Sequence, residues 1–170
     1  MATRSTICLV LRKEDIGKEL KFDETKLPKD VMYSNEYLQM VGSVKLEKPI
    51  LQIYHYWDGY PQGVGYTLLE KFNDYDTILN LMLGGDASSI NGDVIQQYCA
   101  WGGEDWDSVQ PYQTDEFTLT EDFIYKFEDG EWWFDGYDCD GWCNLKDYLS
   151  NMENESEDDN EDIEVDCDND

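Results

Sequence analysis

After residue 85 the chain almost runs out of positive charge. Residues 86–150 hold two lysines, Lys126 and Lys146, against sixteen acids, and residues 151–170 hold eleven acids and no base. Residues 1–85 are close to balanced, with ten Lys/Arg and twelve Asp/Glu, so the net charge of −27 sits mainly in the second half. A surface of that sign repels phosphate, which argues against direct nucleic-acid binding and against anionic membranes. Its natural counterparts are a basic protein surface, a cation, or water alone.

Other absences set further limits. No apolar run approaches the length of a membrane span, and residues 1–11 lack the positive, apolar, small-residue order of a secretion signal. A soluble protein that stays in the compartment where it is made is expected. The five cysteines (Cys8, Cys99, Cys139, Cys143 and Cys167) are odd in number and scattered. They suit free thiols in a reducing compartment better than a disulfide framework. Aromatic residues, by contrast, are plentiful, with 6 Trp, 12 Tyr and 6 Phe. A disordered acidic chain would lack them, so most of this one should fold.

Hydrophobic patterning gives an α+β domain over residues 1–150, a mostly antiparallel sheet with two or three short helices, and a disordered acidic tail over 151–170. Ile7 to Leu11 reads as a buried strand. Short strands are expected near Glu19–Phe22 and within Tyr37–Leu46. After Pro49 the alternation of "ILQIYHYW" puts Leu51, Ile53, His55 and Trp57 on one face and Ile50, Gln52, Tyr54 and Tyr56 on the other. Asp58-Gly59 and Pro61 end that strand. Helical spacing follows at Val64, Leu68, Leu69 and Phe72. A second helix is expected with Asp76 as its N-cap, stopped by Gly84-Gly85. "DASSINGD" reads as a loop, and Val94 to Ala100 as a strand. Asp129-Gly130 between "FIYKF" and "EWWFDGY" signals a tight hairpin, and Asn144 to Met152 a closing helix.

Several constellations carry chemistry. Arg4, His55, Asp58 and Tyr60 would make a small-ligand or catalytic pocket for a nucleotide-like anion if the first strand lies beside the Tyr-Trp-Asp-Gly-Tyr-Pro turn. A histidine beside a carboxylate can act as a base and an arginine can clamp an anion. The competing reading has His55 packed in the sheet, Asp58 capping the turn and Arg4 paired with a carboxylate. Glycines 59, 63 and 65 precede a helix, but their spacing fits neither nucleotide fingerprint, and Pro61 removes an amide donor. "DGYDCDGWCNLKD" imitates a calcium loop with glycine where the first acid belongs. Cys139 and Cys143 would need two further zinc ligands that no spacing nominates. No cofactor and no metal are expected.

The acid–aromatic mixture from Trp101 to Trp142 carries more weight. Rows of carboxylates attract basic proteins, and Trp and Tyr make good interface anchors. Trp101, Glu104, Asp105, Trp106, Asp107, Asp135, Asp138 and Asp140 are the candidate contacts. A core with a solvated acidic rim would use the same residues.

"TRSTI" (Thr3 to Ile7) with "YHYWDGYPQGVGYTLLEKFN" (Tyr54 to Asn73) resembles a group of small, functionally unassigned proteins encoded by bacteriophages and prophages. "GGDASSI" (Gly84 to Ile90) and "GGEDWDSVQP" (Gly102 to Pro111) are similar too. In that group the strand ends in His-x-Asp-Gly-Tyr-Pro or His-Trp-Asp-Gly-Tyr-Pro; here Tyr56 intervenes between His55 and Trp57. The resemblance implies phage origin and a shared fold and carries no catalytic residues. It supports the expectation of a non-enzymatic accessory protein that binds a basic host or defence protein. A virion-associated structural component is a further alternative.

Overall fold

A computed structural model of the chain describes residues 3–33, 38–97, 105–118, 121–136 and 141–152. They form an α+β fold built on one mixed sheet. Strand β1 (Ser5–Val10) is central, flanked by antiparallel β4 (Ile50–His55) and parallel β8 (Phe123–Glu128). Beyond β8 lie β9 (Glu131–Gly136) and the two-residue β10 (Cys143–Asn144). The far edge of β4 is shared: β7 (Tyr112–Thr114) pairs with its first half, and β5 (Ala87–Asn91), joined to β6 (Val94–Gln97), meets it at His55. A separate small ladder joins β2 (Glu19–Lys21) to β3 (Ser43–Lys45). Six of the eight strand pairings are antiparallel, as the alternating patterns required.

The two faces of the sheet differ because side chains alternate along each strand. One face carries Ile7, Leu9, Leu51, Ile53, Tyr125, Phe127, Trp132 and Phe134 into the main core. Against it pack helices α1 (Tyr66–Lys71) and α2 (Tyr75–Leu83) through Leu68, Ile78, Leu81 and Met82, and α4 (residues 145–152) through Leu145 and Leu149. The opposite face buries Thr6 and a small apolar cluster of Cys8, Ile50 and Ile124, over which Phe117 and Trp142 lie.

Local chemistry sets the element ends, in places against expectation. α2 starts earlier than the sequence suggests: Asp74, not Asp76, is the cap, its carboxylate accepting the Thr77 amide at 3.0 Å. Asn144 caps α4 in the same way, accepting from Asp147 N. The helix after Pro61 opens with one wide turn (Pro61–Gly65) before becoming α-helical. Most of the expected loop at "DASSINGD" is strand β5, whose Ser88 is buried and bonded to Gln96 O at 3.2 Å; the polar composition hid a hairpin that buries its own hydroxyl. The Asp129-Gly130 hairpin forms as read, with φ of 55° and 81°, both central residues being left-handed. Cys8 is a buried free thiol, whereas Cys143 is disulfide-bonded, against the expectation of free thiols; count and spacing do not show which sulfurs meet. Among the described residues no helix is long and apolar enough to cross a membrane.

Candidate functional site

The Tyr54–Gly65 stretch is a corner locked from several sides. Gly59 N donates to Thr3 O at 2.8 Å, which holds the turn against the chain entering β1, and Gly59 O accepts the buried Tyr125 hydroxyl at 2.6 Å. A Cβ on Gly59 would stand 2.8–2.9 Å from the backbone of Arg4 and Ser5, so the approach requires glycine. Asp58 takes a left-handed φ of 57°, and its carbonyl accepts from Val64 N at 2.9 Å. Glycines and proline serve this packing.

His55 lies inside that corner, with no exposed surface. Its Nε2 accepts the Ile90 amide at 3.0 Å, which puts the proton on Nδ1, 3.2 Å from Ser5 Oγ. Burial pushes its pKa down to about 3. It is a neutral ring joining β1, β4 and β5, with neither nitrogen offered to solvent.

Its proposed companions are dispersed. Arg4 is exposed and lies over the Tyr56 ring at 5.1 Å, and its pKa is raised, first by bonding to Tyr56 and then by the neighbouring Tyr54. Asp58 and Tyr60 are exposed at the turn. Among the described residues, none of the four lines any of four clefts of about 320 to 520 Å³. The first strand does meet the turn, but what meets is backbone.

The neighbourhood of Arg4 holds another arrangement. Tyr54, Tyr56 and Trp57 form a run of edge-on rings, with centroids 6.3 and 4.8 Å apart. Trp57 is 48% exposed. The run ends at a cleft of about 490 Å³ on the less covered face of the sheet. Thr6, Gln52 and Tyr54 form its floor, and α3 (Trp106–Val109) and Tyr112 its far wall. Asp86, Asp107 and Glu121 line it with no cationic side chain among its lining residues.

The wall is held by close packing. Asp86 N donates to Val109 O at 2.8 Å, and Gly85, at φ 87°, lies where a Cβ would be 2.4 Å from that carbonyl. Trp106 fills the space beside Gly42, within 2.8 Å of where a Cβ would sit. Asp86 Oδ1 accepts the Tyr54 amide at 2.8 Å, while its partial burial lifts its pKa to about 6. The cleft thus keeps a desolvated carboxylate beside two tyrosines, and Tyr112 is 63% exposed at its rim.

Of the acid–aromatic candidates, Asp107 lines this cleft, and Asp105 is exposed beside it. Trp106 is a half-buried wedge against the core, and Asp135 pairs opposite Ile124 on the sheet. Trp101, Glu104, Asp138 and Asp140 lie outside the described residues, as do residues 137–140 of the calcium-like stretch. Among the described residues no group of three or more His, Cys, Asp or Glu is placed to hold a metal. Tyr112 belongs to the acid–aromatic mixture read from the sequence as interface anchors; Tyr54, Asp86 and Glu121 are not among the residues the sequence singles out. For Tyr54 the signal was present, since alternation put it on the face away from Leu51 and Ile53. For Asp86, following two glycines, nothing local marked it. Comparison with protein-family models, with curated proteins and with solved structures gave no match.

Proposed function

We propose that the chain is a phage-encoded, non-enzymatic accessory protein that acts in the host cytoplasm by binding a basic host or defence protein. The observation carrying this reading is the state of the acids after residue 104. Asp105, Asp107, Asp122, Asp129, Glu131 and Asp147 are exposed, and none has an ion-pair partner among the described residues. Lys126 is consumed locally: it pairs with Glu128 at 2.9 Å and sits over the rings of Phe117 and Trp142. Unpaired carboxylates raise the encounter rate with cations and disfavour anionic partners. The neutral, enclosed His55 supports binding over acid–base chemistry at the conspicuous turn. Phage origin rests on the "TRSTI" and "WDGYPQGVG" resemblance.

The test is capture from host lysate at low salt, followed by identification and reconstitution from purified components. A basic partner is expected to form a stoichiometric complex that weakens steeply between about 0.05 and 0.5 M salt, as the screening length shrinks. Failure to reconstitute any complex, or binding indifferent to salt, sinks the proposal.

A further inference from the structure

The reading above leaves open where a basic partner would dock. Resting on that reading, we infer that the docking point is the cleft between Tyr54 and Tyr112, and that it receives an arginine side chain from the partner. Phe117 and Trp142 lie over the Cys8–Ile50–Ile124 part of this face, and the cleft opens at its other end, where Gln52 and Tyr54 are half-buried over a buried Thr6. At about 490 Å³ the cleft has the size of a small-ligand site and exceeds what one side chain needs, so a short segment around the arginine also fits.

Charge complementarity selects the occupant. Asp86, Asp107 and Glu121 face the cleft, and no lysine or arginine lines it. The aromatic walls then favour guanidinium over ammonium. Guanidinium is planar, weakly hydrated, able to stack on a ring and able to bond a carboxylate with two parallel donors. The molecule already uses this pairing twice, with Arg4 over Tyr56 and Arg12 over Tyr75 at 4.1 Å. The side-chain carbonyls of Gln52 and Gln110 supply acceptors for the donors a single carboxylate leaves over, while Gln113 is held on the backbone of Lys45, Glu47 and Lys48. Exposed Tyr, Trp and Arg next to a desolvated polar group is also the composition of interface hot spots.

The experiment is nuclear magnetic resonance of the isotope-labelled full chain, titrated with an oligoarginine peptide and, separately, an oligolysine peptide of equal length. Amide shifts are expected at Thr6, Gln52, Tyr54, Asp86 and Tyr112, with the arginine peptide binding several-fold tighter. Tyr112→Ala, which removes a mostly exposed ring, should weaken binding about tenfold. Asp86→Asn, which keeps an acceptor for the Tyr54 amide, should do the same with the rest of the spectrum unchanged. Shifts confined to residues 153–170, equal affinity for the two peptides, or unaltered binding by both variants would overturn the cleft assignment while leaving a basic partner in place. No binding of either peptide at low salt would overturn the functional reading itself.

Discussion

His55 and Ile90 meet through the ring nitrogen that a catalytic histidine would have left free. The Ile90 amide donates to Nε2 at 3.0 Å, so the imidazole is an acceptor inside the sheet and must stay neutral to remain one. Its folded pKa of about 3 lies well below the ordinary value of 6.5. Below pH 6.5 the unfolded chain binds a proton that the folded chain refuses, so this ring's contribution is complete above pH 6.5 and declines as pH falls toward 3. The slope is about 1.4 kcal/mol per pH unit. His55→Gln removes the titration. Its stability deficit against the parent, measured by urea unfolding, should shrink between pH 7 and pH 4.5. A constant deficit would show that His55 does not titrate on unfolding.

How far this was visible beforehand depends on the range of the interaction. Alternation in "ILQIYHYW" placed His55 with Leu51 and Ile53, and all three are buried on the core face. Asp129-Gly130 and Leu145, Tyr148 and Leu149 gave the hairpin and closing helix because each signal is local. The cleft was not legible, since Tyr54, Asp86 and Tyr112 come together only through the pairing of β4 with β7 and the Asp86–Val109 backbone bond. Strand β5 was missed because its inward polar residue finds a partner across the hairpin, which composition cannot reveal.

The corner should fail at Gly59 before it fails at its exposed neighbours. A methyl group there meets backbone atoms of Arg4 and Ser5 below 3.0 Å, so β1 or the turn must move. Gly59→Ala should cost at least about 2 kcal/mol, in the range of overpacking and strain. Tyr60→Ala, at a position 38% exposed, should cost under about 1 kcal/mol. Chemical denaturation of both variants checks the ranking, and equal costs would contradict the close approach.

The Tyr125 hydroxyl gives an independent measure of the same corner. It donates to Gly59 O at 2.6 Å in a buried site. Tyr125→Phe keeps the ring against Phe134 and leaves that carbonyl one partner short. A loss of about 1–2 kcal/mol is expected, the usual cost of an unmade buried hydrogen bond. A neutral substitution would mean that another donor reaches Gly59 O.

Asp86 should behave in the opposite sense to His55. Its folded pKa of about 6 lies above the ordinary carboxylate value, because burial penalises the anion more than the Tyr54 amide favours it. Between about pH 4 and pH 6 the folded state binds the extra proton, so stability is gained as pH falls through that window and withheld above it. Asp86→Asn should therefore raise stability at pH 7, on the order of 1 kcal/mol, with the gain vanishing near pH 4. Thermal unfolding at the two pH values tests this. A carboxylate that destabilises the fold while facing an open cleft is what a binding residue retained against stability would look like.

The net charge makes a prediction about salt that runs against the ion pairs. The described residues contain five ion pairs, with Lys18–Asp15, Lys126–Glu128 and the Lys71 contacts to Asp30 and Asp93 among them. Exposed pairs are worth up to about 1 kcal/mol each, and salt weakens them. Against them stands mutual repulsion within an excess of 27 negative charges. Two like charges about 10 Å apart in water repel by roughly 0.4 kcal/mol, and the acids after residue 85 supply many such pairs. Repulsion should win. The unfolding midpoint is expected to rise by several degrees from very low salt to about 0.15 M sodium chloride, where the screening length falls to about 8 Å. A midpoint that falls with salt would mean that the ion pairs, and not repulsion among the acids of the second half, dominate the electrostatics of folding.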